Sequence, residues 1–119
     1  MQNFRDLKVW QRAHVIALSV YGATADFPDD ERFGLISQMR RAASSIGANI
    51  AEGAGRGSNA DFSRFLHNAT GSANELENFL LLARDLAFLE AARFEKLSAE
   101  LEEVKRMLGG FMARVKAPN

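Results

Sequence analysis

Apolar residues recur every three or four positions along this chain, and the pattern is repeated in four segments. The C-terminal segment is the most regular, with apolar side chains at Phe94, Leu97, Leu101, Val104, Leu108, Phe111 and Val115. This spacing places the side chains along one stripe of an α-helix, where they can pack against neighbouring helices. No segment shows the strict alternation that is typical of a half-buried β-strand. The pattern predicts an all-α protein.

The three earlier segments carry equivalent stripes. These are Leu7, Trp10, Ala17 and Tyr21 beside Val9, Ala13, Ile16 and Val20; then Ile36, Met39, Ala43, Ile46, Ile50 and Gly53; and then Phe62, Leu66, Ala69, Ala73, Leu76, Leu80, Ala83 and Ala87. The breaks at residues 27–30 (FPDD) and 88–90 are short, and the aspartates of the first break can cap the second helix. Helices joined by short connections pack as antiparallel neighbours. We therefore predict an antiparallel up-down-up-down four-helix bundle that forms a single domain over residues 1–119.

The third break is the glycine-rich stretch NIAEGAGRGSNADF, from Asn49 to Phe62, which has two interpretations. A phosphate-binding loop of the Walker type needs a preceding strand and a Lys-Ser/Thr pair at its end, and this stretch has neither. Three glycines can instead supply the positive φ angles with which a helix ends and reverses. Ser58 and Asp61 have the spacing of a capping box that begins the third helix. The stretch favours a helix reversal.

A polar track runs beside the apolar stripe of the second helix and has a counterpart on the third. Folding the two helices back around residues 55–57 brings Ser45 near Asn68, because both helices rise equally per residue. We predict ion pairs between Arg41 and Glu75 and between Glu52 and Arg64. This predicted polar seam consists of Gln38, Ser45, Asn49, Glu52, Asn68, Ser72 and Glu75. Polar groups inside a bundle can fix helix register and partner choice.

A catalytic or metal site is the alternative interpretation of these polar residues. Di-iron bundles use a Glu-x-x-His motif, but His14 follows Gln11 at that spacing and His67 follows Arg64. Ser63 and His67 share a helix face without a third group to orient the histidine. The chain has no cysteine. We therefore expect no catalytic residue, no metal and no cofactor, and a protein that is not an enzyme.

The charges balance over the whole chain, with 15 basic and 15 acidic residues. Any contact with phosphates must therefore come from a local patch. Arg5, Lys8 and Arg12 have i, i+3, i+7 spacing on the predicted first helix, and further arginines occur around the glycine-rich reversal. The candidate nucleic-acid-binding residues are Arg5, Lys8, Arg12, Arg40, Arg41, Arg56 and Arg64. The alternative is that Arg41 and Arg64 stabilise the fold and that the other cations only keep the protein soluble.

Surplus apolar and small residues predict contacts between subunits. A four-helix bundle buries one stripe per helix, whereas the first helix has two apolar tracks and residues 80–82 (LLL) cover more than one face. The second helix carries small residues outside its stripe: Ser37, Ser44, Gly47, Ala48, Ala51 and Ala54. We therefore expect a homo-oligomer. The absence of cysteine and of any long apolar span predicts a cytoplasmic protein with no membrane partner.

Three stretches of the sequence carry a family resemblance: FRDLKVWQRA, FPDDERFGLISQMRRAASSIGANIAEGAGR and SNADFSRFLHNATGSANELE. Their most specific residues are Gln38, Arg41, Ala42, Asn49, Ile50, Glu52, Gly53, Phe62, Leu66, Gly71, Ser72 and Glu75. Over residues 4–115, the chain resembles the small bacterial four-helix-bundle family named for 23S rRNA intervening sequences. The resemblance implies an antiparallel bundle that assembles as a homo-oligomer, and pentameric barrels occur in the family.

The resemblance also implies a link to RNA or DNA, since some members are encoded within intervening sequences of ribosomal RNA genes. A related branch, the accessory variability protein of diversity-generating retroelements, binds nucleic acid and a reverse transcriptase through a basic surface. The expected partners are therefore further copies of the chain, RNA or DNA, and a nucleic-acid-processing protein. We interpret the chain as a non-enzymatic oligomeric adaptor with sequence-tolerant phosphate contacts. The alternative is a protein-interaction scaffold that binds no nucleic acid.

Overall fold

Four long helices pack side by side in a computed structural model that describes residues 3–116. They are α1 (Lys8–Thr24), α2 (Ser37–Ala54), α3 (Asn59–Asp85) and α4 (Ala91–Lys116). Short helical turns precede α1 at Phe4–Asp6 and precede α2 at Asp29–Glu31 and Arg32–Ile36. Residues 3–116 contain no strand, so the predicted all-α fold is confirmed. None of these helices is both long and apolar enough to cross a lipid bilayer.

The predicted apolar stripes of α2, α3 and α4 form most of the core, with Met39, Ile46, Leu66 and Leu108 fully buried. In α1 the two candidate tracks differ in burial. The buried track is Val9, Ala13, Ile16 and Val20, whereas Leu7, Trp10 and Ala17 are half-buried and Tyr21 is exposed. Ile36, Phe111 and Val115 are half-buried at the ends of their stripes. The second track of α1 is therefore available to line a surface feature.

The connection between α3 and α4 reverses the chain without a glycine. The N–H of Ala87 donates to the carbonyl of Arg84 and the N–H of Phe88 donates to the carbonyl of Ala83, which is the Schellman pattern. Ala87 has a φ of 63°, the left-handed conformation that this motif requires. The expectation that Ala87 continues the buried stripe of α3 is therefore wrong, because α3 ends at Asp85 and Ala87 is exposed.

The start of α2 differs from the sequence prediction. The aspartates of residues 29–30 lie in a separate 3-10 turn and do not cap α2. A π-helical turn at Arg32–Ile36 precedes α2 instead, with Gly34 at φ −108° and ψ −109°. Glu31 caps this turn, since its carboxylate accepts a hydrogen bond from the N–H of Leu35 at 3.0 Å. This extra turn moves the first residue of α2 to Ser37 and leaves Phe33 in solvent.

Candidate functional site

Polar side chains join α2 to α3 midway along both helices. The guanidinium of Arg41 donates to Gln38 Oε1 at 2.9 Å and forms an ion pair with Glu75, so the predicted Arg41–Glu75 pair is confirmed. The hydroxyls of Ser45 and Ser72 are 2.8 Å apart. We call Gln38, Arg41, Ser45, Asn49, Ser72 and Glu75 the α2/α3 seam. Its bonds link residues of both helices, so it fixes how the two helices lie against each other.

The register of this seam differs from the prediction by one helical turn. Ser45 meets Ser72 rather than Asn68, because the first turn of α3 extends beyond the C-terminal end of α2. Asn68 is exposed and is not part of the seam contacts. The amide of Asn49 instead donates to the carbonyl of Ser45 at 2.9 Å and to its hydroxyl at 3.1 Å.

The predicted ion pair between Glu52 and Arg64 is wrong. Glu52 pairs with Arg56 at 3.0 Å, four residues along the chain, and Arg64 lies 3.6 Å from Asp61. Both are contacts between neighbours in sequence: Arg56 binds the Glu52 carboxylate, while Arg64 lies between Asp61 and the Phe65 ring. At this end of the bundle an apolar contact joins α2 to α3.

That apolar contact explains one glycine of the stretch from Asn49 to Phe62. A Cβ atom on Gly53 would lie 2.8 Å from Phe62 Cδ1 and 2.9 Å from Phe65 Cβ, so only glycine allows α3 to pack this closely against the end of α2. No glycine among residues 3–116 has a positive φ, which corrects the expectation that glycines make this reversal by left-handed geometry. Ser58 caps α3 as predicted, with its hydroxyl accepting from the N–H of Asp61 at 3.2 Å.

Most candidate nucleic-acid-binding arginines already have partners within the chain. Arg12 Nε donates to Glu103 on α4 at 2.7 Å, and Arg41 is part of the α2/α3 seam. Arg40 donates to the Thr24 hydroxyl at 2.9 Å and its guanidinium lies 4.5 Å from the ring centre of Tyr21. Arg56 and Arg64 both lie over the ring of Phe65, at 4.9 Å and 4.5 Å from its centre. Arg12, Arg40 and Arg41 therefore each link two helices, whereas Arg56 and Arg64 contact neighbouring residues at the reversal between α2 and α3.

Arg5 and Lys8 remain the most available of the predicted cations, although only Lys8 lies on one helix with Arg12, where all three were expected. Arg5 belongs to the 3-10 turn at Phe4–Asp6, and the extended residue Leu7 separates that turn from α1, which begins at Lys8. Both side chains are exposed. The Arg5 side chain bonds Asn3 and lies over the Phe4 ring, and neither Arg5 nor Lys8 has an ion pair within residues 3–116. Phosphate binding by these residues stays a prediction.

An apolar groove of about 420 Å³ runs along the outer face of α1 and α2. We call it the α1/α2 groove. Its walls come from Phe4, Trp10, His14, Ala17, Leu18 and Tyr21 on the α1 side, and from Ser44, Gly47, Ala48 and Ala51 on α2. The groove exists because the α2 side chains are small while those of α1 are large. Leu18 is 61% exposed, which is unusual for a leucine beside other apolar residues.

The floor of the α1/α2 groove depends on a close approach of Trp10 to α2. Trp10 Nε1 lies 3.3 Å from the position that a Cβ on Gly47 would occupy. The Trp10 ring is stacked on His14, with 4.8 Å between ring centres, and meets Phe4 edge-on at 5.1 Å. The second apolar track of α1 and the small residues of α2 were the sequence signals for this surface, but neither signal alone indicated that they form one groove.

The residues considered for a catalytic or metal site lie apart from one another in the structure. His14 belongs to the α1/α2 groove, whereas His67 is exposed on α3 and the neighbouring Ser63 is buried. Within residues 3–116, no three histidine, aspartate or glutamate side chains are grouped so that they could hold a metal ion. The described side chains instead form a hydrogen-bonded polar seam on one side of α2 and an open apolar groove on the other.

Comparison with known families places the fold in a wider group. Residues 5–110 match the family model described as 23S rRNA-intervening sequence protein. The chain belongs to this family. The match extends from the first 3-10 turn through most of α4, and so includes both the α2/α3 seam and the α1/α2 groove.

A solved relative has the same fold as this member of the 23S rRNA-intervening sequence protein family. It is the crystal structure of a protein of unknown function from the S23 ribosomal protein family, from Bacteroides thetaiotaomicron VPI-5482. The two chains are 25% identical with a TM-score of 0.81, over 88% of this chain and 95% of the other. Among curated proteins, none matches this chain significantly.

The residues that carried the family resemblance in the sequence are concentrated where α2 meets α3. Gln38, Arg41 and Asn49 lie in the seam on the α2 side, with Ser72 and Glu75 opposite them. None of these five residues lines the α1/α2 groove. The resemblance of this chain to the 23S rRNA-intervening sequence protein family therefore rests on the contacts that fix its fold.

Proposed function

We propose that this protein is a non-enzymatic, homo-oligomeric adaptor whose α1/α2 groove is covered by another subunit. The observation that carries the proposal is the groove itself. An apolar groove that continues into exposed apolar side chains is typical of protein contact sites. Leu18 and Tyr21 add exposed apolar area at its edge. The five-subunit assembly that the family resemblance implies, and a cytoplasmic location, form part of the same proposal.

The proposed subunit is an antiparallel up-down-up-down bundle. The order of the contacts supports it: Arg41 pairs with Glu75, whereas Ser45, further along α2, pairs with the earlier residue Ser72 on α3. The α3 and α4 contacts run in the same sense, since Thr70 approaches Met112 and Glu77 pairs with Lys105. An antiparallel bundle presents α1 and α2 side by side, which gives the groove two parallel walls.

Light scattering on the purified protein tests this function. We expect the wild-type chain to have the mass of an oligomer and Ala48→Glu to shift it toward the monomer, because the new carboxylate would lie in the apolar groove. Ala99→Glu is the matched control, since Ala99 is also an exposed alanine inside a helix but lies on α4. A wild-type monomer, or an Ala48→Glu variant that assembles as well as the control, would contradict the proposal.

Phosphate contact with RNA or DNA is a second candidate function, and the exposure of Arg5 and Lys8 without ion pairs favours it. Both lie at the Phe4 end of the chain, where an oligomer would present them once per subunit and so add their charges. We expect a fluorescence polarisation assay with mixed RNA and DNA to detect binding that weakens as salt rises. The double variant Arg5→Glu/Lys8→Glu should reduce both the affinity and its salt dependence.

The control for that assay is Lys96→Glu/Arg106→Glu, which changes net charge equally and affects exposed cations of α4. Arg12 is left unchanged because a carboxylate there would face Glu103 and disturb the contact between α1 and α4. If the wild-type chain binds no nucleic acid at low salt, the adaptor contacts proteins only. A partner that processes nucleic acid would then be bound through protein surfaces.

A further inference from the structure

A pocket of about 430 Å³ lies where the π-helical turn at Arg32–Ile36 meets the C-terminal half of α1 and the start of α2. Three arginines line it, Arg32, Arg40 and Arg41. Among the described residues that line it, none is acidic, although the chain as a whole has as many acidic as basic residues. We call it the Arg32 pocket. Cations that are concentrated in one pocket without a carboxylate attract a multiply charged anion.

Two of these arginines are held in place by contacts that use only part of their hydrogen-bonding capacity. Arg40 donates from Nε to the Thr24 hydroxyl and from Nη2 to the Tyr21 carbonyl. Arg41 donates from Nε and Nη2 to residues of the α2/α3 seam. A guanidinium has five N–H donors, and Nη1 of either arginine forms no hydrogen bond within residues 3–116. Both side chains are therefore ordered in advance and still have donors for a ligand, which lowers the cost of binding.

Arg32 is the cation of the pocket with all its donors available. Its side chain is exposed and has no ion pair within the described residues. The adjacent acid, Glu31, is engaged elsewhere, because its carboxylate accepts the N–H of Leu35 at 3.0 Å. A Cβ atom on Gly34 would lie 2.9 Å from the same carboxylate oxygen, so glycine at this position leaves room for the cap. The turn thus presents Arg32 while its acidic neighbour is used as a cap.

Two aromatic rings line the same pocket. Phe33 is 89% exposed, the highest value among the large apolar residues of the described range, and Tyr21 is 46% exposed. The guanidinium of Arg40 lies 4.5 Å from the centre of the Tyr21 ring. The Phe33 ring has no aromatic or cationic partner within residues 3–116. An exposed ring of this kind is a surface on which the flat ring of a ligand can stack.

We propose that the Arg32 pocket binds a phosphate monoester joined to a flat ring, as in a nucleoside monophosphate. The planar guanidinium groups match the geometry of phosphate oxygens, and Phe33 stacks on the ring. A terminal phosphate carries a charge of about −1.5 to −2 at neutral pH, whereas a diester within a strand carries a single charge, so clustered arginines favour the monoester. A volume of about 430 Å³ is within the range of small-molecule sites.

This inference goes beyond both proposed functions, because it needs neither a second subunit nor the cations Arg5 and Lys8. The ligand is either a free nucleotide or the phosphorylated end of a strand, since the two have the same chemistry. Isothermal titration calorimetry on the wild-type protein with adenosine monophosphate, adenosine and ribose phosphate tests the proposal. We expect the monophosphate to bind about tenfold more tightly than either fragment, since each fragment lacks one half of the recognised group. Equal binding of ribose phosphate would mean an adventitious anion only and would overturn the inference, as would no binding of the monophosphate.

Two substitutions separate the phosphate contact from the stacking contact. Arg32→Gln and Phe33→Ala should each weaken binding of adenosine monophosphate by about tenfold, and Phe33→Tyr should retain it because the ring is kept. Both positions are exposed, so circular dichroism should show folded chains. Arg106→Gln on α4 and Leu82→Ala on α3 are the matched controls, since they change an exposed arginine and an exposed apolar residue away from the pocket. Wild-type affinity in Arg32→Gln would show that the phosphate is bound elsewhere.

Competition by oligonucleotides identifies the source of the ligand. If an oligonucleotide with a terminal phosphate displaces adenosine monophosphate and the same strand with a terminal hydroxyl does not, the pocket accepts the end of a strand. If neither displaces it, the pocket accepts free nucleotides, and both results support the inference. Equal displacement by the two strands would mean that the pocket follows the strand backbone and would overturn it. Arg5→Glu/Lys8→Glu should leave binding of the monophosphate unchanged. Loss of binding in that variant alone would contradict this inference and favour phosphate contact at the Phe4 end.

Discussion

The α2/α3 seam and the α1/α2 groove lie on two sides of the same helix, and they are built in opposite ways. On the seam side, α2 presents side chains that reach across: Arg41 bonds Glu75 and Ser45 bonds Ser72. On the groove side, α2 presents only small residues, at Ser44, Gly47, Ala48 and Ala51, and Trp10 of α1 packs against Gly47. One surface of α2 is filled by side chains of α3, while the other stays an open groove.

The difference shows what decides whether a helix surface is structural or free for binding. Both surfaces are continuous stripes of one helix, with the three- and four-residue spacing of neighbours on a helix. The seam is closed by specific hydrogen bonds, which set one register. Across the groove, Arg40 bonds the Thr24 hydroxyl near the Tyr21 end and Trp10 covers Gly47, whereas Ser44 and Ala48 stay exposed. Variants on the two sides should therefore have different kinds of effect.

The largest expected effect comes from the groove and appears only when subunits associate. We expect the apparent stability of the wild-type chain to rise with protein concentration, by about 2.7 kcal/mol when the partner is at a hundredfold excess over Kd. Leu18→Glu should abolish that rise, because it places a carboxylate in the groove at a side chain that is 61% exposed in the subunit. Thermal unfolding at several concentrations measures this.

The seam provides the control for that experiment. Ser45→Ala changes the contact between α2 and α3 and should retain the concentration dependence, although the whole curve is shifted to lower stability. A concentration dependence that disappears in Ser45→Ala and persists in Leu18→Glu would reverse the roles of the two surfaces.

A pair of glycine substitutions gives the next largest difference. At Gly53, an alanine Cβ would meet Phe62 and the Phe65 Cβ at less than 3.0 Å, and Phe65 Cβ can move only with its backbone. Gly53→Ala should therefore destabilise the chain by about 1–2 kcal/mol, since the cost of overpacking exceeds the gain in helix propensity. Urea unfolding followed by circular dichroism gives the value.

Gly47→Ala is the matched substitution on the groove side. Its Cβ would lie 3.3 Å from Trp10 Nε1, and Trp10 is half-buried beside an open groove into which it can shift. The gain in helix propensity of about 1 kcal/mol should offset that small shift. If both substitutions lower the free energy of unfolding by the same amount, the groove wall at Gly47 is as rigid as the contact of Gly53 with α3. The contrast between the two sides of α2 would then be wrong.

The sequence was sufficient to predict the helices because apolar periodicity and capping residues act locally. The buried stripes, the Ser58 cap and the breaks predicted around residues 55–57 and 88–90 were all read from neighbouring residues. The predicted Arg41–Glu75 pair was confirmed as well, because the two positions are level in the observed register. The pair predicted near the reversal, between Glu52 and Arg64, was wrong because Arg56 binds the Glu52 carboxylate and Arg64 contacts Asp61 and the Phe65 ring.

The sequence was insufficient where a feature depends on the distance between helices. The small residues of α2 and the second apolar track of α1 were both recognised, but whether they touch or leave a gap depends on how Trp10 lies against Gly47. The left-handed alanine at residue 87 was also missed, because no glycine marks it and the motif is defined by hydrogen bonds to residues 83 and 84. The register of the α2/α3 seam was likewise missed, because it depends on how far α3 extends beyond the end of α2.

A smaller effect is expected from the serine pair of the seam. Ser45→Ala removes the partner of the Ser72 hydroxyl and one acceptor of the Asn49 amide, and should cost about 1 kcal/mol. Ser45→Ala/Ser72→Ala should cost less than the two single substitutions added together, because no unpaired hydroxyl remains. Ser44→Ala, on the groove side, is the control. Its hydroxyl bonds only carbonyls of its own helix, so it should be neutral or slightly stabilising.

The smallest effect is expected from the ion pair between Arg41 and Glu75, and it decides how the seam works. Their side chains are 51% and 38% exposed, and exposed ion pairs contribute about 0.2–1 kcal/mol. A double-mutant cycle with Arg41→Ala and Glu75→Ala, measured in the Leu18→Glu background to remove assembly, should give a coupling of about 0.5 kcal/mol that falls as salt rises.

Arg84 and Asp85 provide an exposed control pair on one helix, for which we expect almost no coupling. A coupling at the control value would show that the serines, Asn49 and Gly53 alone hold α2 against α3. A coupling well above 1 kcal/mol would mean that Gln38, which also binds the Arg41 guanidinium, orders the pair so strongly that the ion pair sets the register.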